Sequence, residues 1–373
     1  MPRSGSAFAE AASGFAQVQL RRTRRRARVL GHKEPQDMIY AKICTQSMKT
    51  HTKQSNPDIE NAKRWFCEAR FGLFVHWGLY AIPAGIWRGR PMPFLGEWIM
   101  HTARIPVREY SQLARRFNPA YFDAQKWVAS AEAAGMGYLV FTAKHHDGFA
   151  MFRSAADPYN VVDATPFRRD PVAELADACR NSRVRLALYY SQAQDWHEPS
   201  GGNAPWDGGY GNNWDFPAGT RDGFDLYLER KVIPQLRELL TQYGPVAMLW
   251  FDNPIPSFTR RHAKEVKDLV RSLQPGCLIS ARIGHGLGDI RGFGDNEFPE
   301  DTANEPCEAC VTMNETWGYK HDGGEWKSLE DLLAMRQRAL AQGVNLLLNV
   351  GPKADGRFPP EANERLGFLA GAI

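Results

Sequence analysis

No stretch of this chain is apolar for long enough to span a bilayer, and its N-terminus lacks the apolar centre of a secretory leader. Neither a membrane partner nor export is therefore expected, and the sequence as it stands points to the cytoplasm. Cysteine is scarce and scattered: Cys44, Cys67, Cys179, Cys277, Cys307 and Cys310 in 373 residues exclude a disulfide framework. Cys307 and Cys310 form a C-x-x-C with no second ligand pair at suitable spacing, so they read as two small residues near a strand rather than as a zinc site. Charge of one sign is also lacking. The net charge is +4, and most of the excess sits in Arg21, Arg22, Arg24, Arg25, Arg26 and Arg28, ahead of any recognisable domain. The remainder is close to balanced, which gives nucleic acid no electrostatic footprint. No G-x-G-x-x-G opens a helix after a strand, which argues against a dinucleotide fold.

The Arg-rich segment has no apolar stripe at helical spacing. Residues 1–61 are read as a disordered extension, with Met38 and Met48 as candidate true starts. From residue 62 the pattern changes to alternating helix and strand, and residues 62–373 are expected to form one domain. Helices are predicted over 124–134, 222–243, 262–273 and 329–342, the last with Ser328 as N-cap. Each is followed by a glycine (Gly135, Gly244, Gly276, Gly343) suited to a left-handed C-cap, and then by an apolar strand. Two further strands are predicted at 71–78 and 185–191. Repeated helix–glycine–strand units specify an α/β fold, either a barrel or an open doubly wound sheet.

Chemistry gathers where these strands end. His76, His145, His146, Asp195, Trp196, Asp252 and Arg282 all fall there, the position at which barrel enzymes carry catalytic groups. Asp252 closes the apolar run MLWFD, where a carboxylate is costly unless it is paired or working. It is a candidate nucleophile for glycosidic bond cleavage, which needs a second carboxyl group. The loop after Arg282 offers Asp295, Glu297 and Glu300, and spacing does not choose among them. His145 and His146 are adjacent, so on a strand they face opposite sides and suit sugar hydroxyls better than one metal ion. A metal-dependent hydrolase built on His145, His146 and Asp147 is the competing reading. Residues 197–220, with Trp206, Tyr210 and Trp214, form a long loop able to line a saccharide cleft or to make an ordinary surface excursion.

Along the chain stand, in order, WFCEARFGLFVHWG (65–78), GEWIM (96–100), FNPAYFDAQKWV (117–128), FTAKHHDGFAMF (141–152), LYYSQAQDW (188–196), LWFD (249–252), WGY (317–319) and LLLNVGPKADG (346–356). On these motifs the chain, over residues 62–368, resembles the glycoside hydrolase family 29 α-L-fucosidases. The resemblance implies a (β/α)8 TIM-like barrel and retaining hydrolysis of terminal α-L-fucose from glycans through a covalent fucosyl-enzyme. It implies Asp252 as nucleophile and Glu300 as acid/base, with Glu297 in reserve. It implies fucose contacts from His76, Glu97, Trp98, His145, His146, Tyr189, Trp250, Arg282 and Trp317. The expected partner is a fucosylated oligosaccharide or glycoconjugate. No metal or organic cofactor is called for, and oligomeric state is left open. The family's C-terminal β-sandwich is expected to be absent, because the chain ends at Ile373 soon after the last barrel motif. The Gly-rich stretch 284–300 departs from the family pattern, which keeps a non-catalytic fucose-binding barrel as the alternative function.

Overall fold

Eight short strands close into a ring in the computed structural model, which describes residues 56–372. The expected N-terminal extension falls outside the described residues up to position 55. The first helix, α1 (Pro57–Ala69), begins before the expected boundary at 62, with Asn56 accepting from the Asp58 amide as its cap. The strands are β1 (Phe71–Val75), β4 (Tyr138–Lys144), β5 (Arg185–Tyr190), β6 (Met248–Phe251), β7 (Leu278–Ile279), β8 (Arg291–Gly292), β9 (Cys307–Thr312) and β10 (Asn345–Val350); a small antiparallel hairpin adds β2 (Ile86–Trp87) and β3 (Arg90–Pro91). The eight run parallel in the order β7-β6-β5-β4-β1-β10-β9-β8. Because β1 lies between β4 and β10, the first and last strands meet and the ring follows chain order. Across the remaining seam, the Asp289 amide donates to the Ile279 carbonyl at 2.8 Å, and the Asp289 carboxylate accepts from the Ile279 amide at 2.7 Å. The architecture is a (β/α)8-type barrel.

Outside the ring lie α2 (Ala124–Ala133), α3 (Pro171–Arg180), α4 (Arg221–Tyr227), α5 (Ile233–Gln242), α6 (Arg260–Leu273), α7 (Leu329–Gln342) and α8 (Pro360–Gly371). Ser328 accepts from the Asp331 amide as expected. Gly135, Gly244 and Gly343 take the left-handed conformation that ends a helix. Gly276 does not; α6 stops at Gln274, which precedes a proline and is therefore pushed out of helical geometry. The helix expected over 222–243 is interrupted by a π turn at Leu228–Val232. Pro234 follows that turn and has no amide to give to the preceding carbonyl ladder, so the ladder changes register there. Between β7 and β9 the only helical element among the described residues is a single 3-10 turn, Ala281–Ile283, so the ring lacks its full set of outer helices on that side.

The period of two along each strand sorts side chains to the two faces of the ring. Phe74, Tyr138, Val140, Ala187, Tyr189, Met248, Trp250, Leu278, Cys310 and Leu347 fill the interior, while the opposite parity packs against the helices. Each fully buried side chain of this size contributes about 1.5–3 kcal/mol. Gly72 is required at the foot of β1: a Cβ there would lie 2.5 Å from the Tyr138 ring, which crosses the barrel floor. The same parity carries upward. His76 follows Phe74, Asp252 follows Trp250, and Asn349 follows Leu347, each two residues on and on the inner face. No helix among the described residues is long and apolar enough to cross a membrane.

Candidate active site

Asp252 stands one residue past the end of β6, at the barrel mouth. Its Oδ2 accepts from the Tyr189 hydroxyl at 2.9 Å. Its Oδ1 accepts from Arg282 Nη1 and from the Asn253 amide, both at 2.9 Å. The Asp252 amide donates to Gln192 Oε1 at 2.9 Å. Burial pushes the carboxyl pKa up, but Arg282, His146 and Tyr189 together more than offset this and hold it below the usual value. The group is thus a fixed, ionised carboxylate. Asn253 beside it has φ +40°, a strained conformation for a non-glycine residue.

Three imidazoles face the same space, and all are neutral at ordinary pH. Burial lowers the pKa of His76 to about 3 and that of His146 to about 4, and it drives His145 well down, with the other two histidines adding to the effect. Their tautomers follow from their partners. Asn349 Nδ2 donates to the Trp317 carbonyl at 2.8 Å, so its Oδ1 accepts from His76 Nδ1 at 2.7 Å. The Ser191 hydroxyl donates to the Gln194 carbonyl at 2.7 Å, so it accepts from His146 Nδ1 at 2.7 Å. In both rings Nε2 is left as an acceptor facing the mouth. His146 Nε2 lies 3.6 Å from Asp252 Oδ2, a contact of a neutral ring rather than an ion pair. His145 stacks on Tyr189 with centroids 5.3 Å apart, and its buried Nδ1 bonds to no protein group.

Glu97 sits on a 3-10 turn, Gly96–Trp98. Its Oε2 accepts from the Gly318 amide at 2.7 Å and from Thr316 Oγ1 at 3.5 Å. Burial raises its pKa to about 7, and Asp295 adds to the rise. Trp98 packs edge-on to His146 with centroids 5.4 Å apart. Trp317 lies 5.2 Å from His76. Trp250 is different: Tyr189 stacks on it at 5.6 Å and the Arg282 guanidinium lies 4.8 Å from its ring centroid. With these neighbours, Trp250 orients Arg282 and Tyr189 rather than offering an open face.

Of the three acidic residues after Arg282, one joins this group. Arg282 Nη2 donates to Asp295 Oδ1 while Nη1 of the same guanidinium holds Asp252. The Asn296 amide donates to the Cys310 carbonyl at 3.0 Å, and Asn296 Oδ1 accepts from the Thr312 amide at 2.9 Å, which fixes this loop at the upper end of β9. Glu297 is one turn further out, its amide bonded to the Gly294 carbonyl. Glu300 does not reach the mouth. Its exposed residue lies against Gln342, which donates to the Pro299 carbonyl at 2.9 Å. Gln342 ends α7 just before β10 begins, so Glu300 lies at the foot of the barrel, a strand length from Asp252.

Several residues of the site went unremarked in the sequence. Asn349 is the polar member of the apolar run NLLLNV, and Glu308 is a lone acid inside the buried strand CEACVT. Glu308 accepts from Trp250 Nε1 at 2.7 Å and from the Tyr138 hydroxyl at 2.6 Å. Asp195, which the sequence did single out at a strand end, is wholly buried behind the histidines between Lys144 at 3.2 Å and Lys231 at 2.9 Å. Trp196, beside it, donates its amide to the His146 carbonyl at 2.6 Å. For Asn349 and Glu308 the available signal was a polar residue inside an apolar strand. Cys307 and Cys310 make no disulfide and turn to different partners, the Gly343 carbonyl and Arg282 respectively. His145, His146 and Asp147 do not converge either, since Asp147 accepts from the Tyr110 hydroxyl at 2.9 Å. Among the described residues, no three His, Cys, Asp or Glu side chains are placed to hold one metal ion.

A family model described as alpha-L-fucosidase matches residues 39–370. The plasma α-L-fucosidase of Homo sapiens is 27% identical over 334 residues, covering 83% of this chain and 67% of that protein. That of Rattus norvegicus is 28% identical over 327 residues, covering 81% and 66%. The chain spans about two thirds of the length of these curated relatives, and 63% of a related Caenorhabditis elegans protein. Among solved structures, the α-L-fucosidase AlfC from Lactobacillus casei, in complex with α-L-fucose product, superimposes with a TM-score of 0.79 at 42% identity, covering 84% of this chain and 98% of that one. An α-L-fucosidase from Vibrio sp. strain EJY3 gives a TM-score of 0.78 at 35% identity, covering 84% and 55%. By this match along most of its length, the chain belongs to the α-L-fucosidase family.

Proposed function

We propose that the protein is a retaining α-L-fucosidase that releases terminal α-L-fucose from a fucosylated oligosaccharide or glycoconjugate. The observation that carries this reading is the pair of carboxylates held on adjacent nitrogens of Arg282, one of them the ionised Asp252. A guanidinium fork brings its two acceptors within a few ångströms of each other, on the scale of the roughly 5–5.5 Å used by retaining carboxyl pairs. Asp252 attacks the anomeric carbon while Asp295 protonates the departing oxygen. The fucosyl ester on Asp252 is then hydrolysed by water that Asp295, now a base, deprotonates. Asp295 takes the role that the sequence resemblance gave to Glu300, because Glu300 lies at the opposite end of the barrel.

Fucose presents hydroxyls on one side and a methyl group at C6. The acceptor nitrogens of His76 and His146, the unbonded Nδ1 of His145 and the Glu97 carboxyl supply polar partners. Trp98 and Trp317 supply the apolar wall. The acceptance of disaccharides is supported by a relative: an AlfC variant has been solved with Fucα(1,6)GlcNAc. The test is hydrolysis of 4-nitrophenyl α-L-fucoside by the purified protein beside its Asp252→Gly variant, with the first-formed anomer read by proton NMR. Wild-type release of α-fucose, with turnover in the variant lower by several orders of magnitude, is the expected result. First-formed β-fucose would overturn the retaining mechanism, and undiminished turnover in the variant would remove Asp252 as nucleophile.

A further inference from the structure

Two aromatic side chains beside the mouth are turned outward against the usual preference for burial. Phe94 is 56% exposed and Tyr210 is 49% exposed. Both lean on Trp98, with ring centroids at 5.7 Å and 6.1 Å, and Trp98 in turn packs on His146. The three rings therefore continue the wall of the fucose site out to solvent.

The backbones that carry both rings are held by hydrogen bonds, and that of Phe94 is also strained. Phe94 has φ +69°, a strained backbone conformation for a bulky residue, and Lys320 Nζ holds it there by donating to the Phe94 carbonyl at 2.9 Å. Tyr210 lies on the long Gly- and Trp-rich loop. Its carbonyl accepts from the indole of Trp196 at 2.7 Å and from Gln194 Nε2 at 3.3 Å. Gln194 Oε1 accepts from Asn253 Nδ2 at 3.1 Å, and Asn253 is the residue after the nucleophile. The loop is thus tied to the reacting centre by one side chain. Strain that holds an aromatic ring in water is a cost that folding alone does not require, and a short hydrogen-bonded path links the backbone of Tyr210 to Asn253 beside Asp252.

We infer that Phe94 and Tyr210, with Trp98 between them and the fucose site, form a subsite for the pyranose ring to which fucose is attached. Aromatic faces pack on the C–H surfaces of such a ring, while its hydroxyls remain in water, so the subsite selects a saccharide leaving group over a small one. This inference rests on the fucosidase reading. The experiment compares a fucosyl-N-acetylglucosamine disaccharide with α-L-fucosyl fluoride, whose leaving group has no ring. In Phe94→Gly and Tyr210→Ala, the ratio of kcat/KM for the disaccharide to that for the fluoride should fall about tenfold each, the scale of one lost aromatic contact. Phe94→Gly also relieves the backbone strain, so its thermal midpoint should not fall, which separates lost binding from lost folding.

An unchanged ratio in both folded variants, with wild type active on both substrates, overturns the subsite and leaves the fucosidase reading intact. Wild-type inactivity on fucosyl fluoride overturns the fucosidase reading instead. The subsite is then judged by binding: wild type should bind the disaccharide more tightly than fucose, and equal affinities would overturn it.

Discussion

Arg282 holds Asp252 by a 2.9 Å hydrogen bond from Nη1, and the free face of the same guanidinium lies over the ring of Trp250. This relationship organises the site. Trp250 is itself oriented by Glu308 at 2.7 Å, so a line of contacts runs from the barrel interior to Asp252 and on to Asp295.

The acid assignment is the first matter to measure. Asp295→Ala should lower kcat/KM on a disaccharide by about a hundredfold or more, the usual contribution of a positioned acid. On 4-nitrophenyl fucoside the loss should be much smaller, because that leaving group needs little protonation. Glu300→Ala should be close to wild type on both substrates. The leaving-group dependence appearing in Glu300→Ala instead would return the role to that residue.

Arg282→Met should change the pH profile. Burial alone would raise the Asp252 pKa, and Arg282 is the foremost influence opposing it. Without the guanidinium the folded pKa rises, so the acid limb of kcat/KM moves to higher pH and activity at low pH is lost first. A profile that keeps its acid limb while falling in height would mean that Arg282 binds substrate without tuning the nucleophile.

Glu308 makes a prediction about stability. Burial raises its pKa to about 7 from 4.5, so between those values the folded protein holds a proton that the unfolded chain has released. Its contribution is at its best below the unfolded pKa and declines as pH rises through the folded one. Glu308→Gln removes the decline, so the variant should gain on wild type between about pH 5 and pH 8, by up to about 3 kcal/mol. Urea unfolding at the two ends of that range measures it, and a difference independent of pH would sink the argument.

Lys231 tests the buried network behind the histidines. It lies 2.9 Å from Asp195 and 2.6 Å from Asp157, both on the protein's interior side. Lys231→Met leaves Asp195 with Lys144 as its remaining cationic partner. The expected loss is about 3–5 kcal/mol, the cost of leaving a buried charge undercompensated. A thermal midpoint equal to that of wild type would show that the pair adds nothing.

The sequence by itself determined the alternation of helix and strand, because a periodicity and a capping residue are local properties. It placed His76, His145, His146, Asp195, Trp196, Asp252 and Arg282 at strand ends. It also carried the family, since motifs spread in order along the chain do not depend on contacts between them. Tertiary structure alone decided which of the acids after Arg282 shares its guanidinium with Asp252. Residues 295 and 300 lie five positions apart in one loop, yet that loop descends the outside of the barrel, so one ends at the mouth and the other at the foot. It alone decided the tautomers of His76 and His146, which are set by Asn349 and Ser191 from distant strands. The roles of Glu308, Lys231 and Phe94 were likewise invisible, because burial, pairing and strain arise only when segments far apart in the chain are brought together.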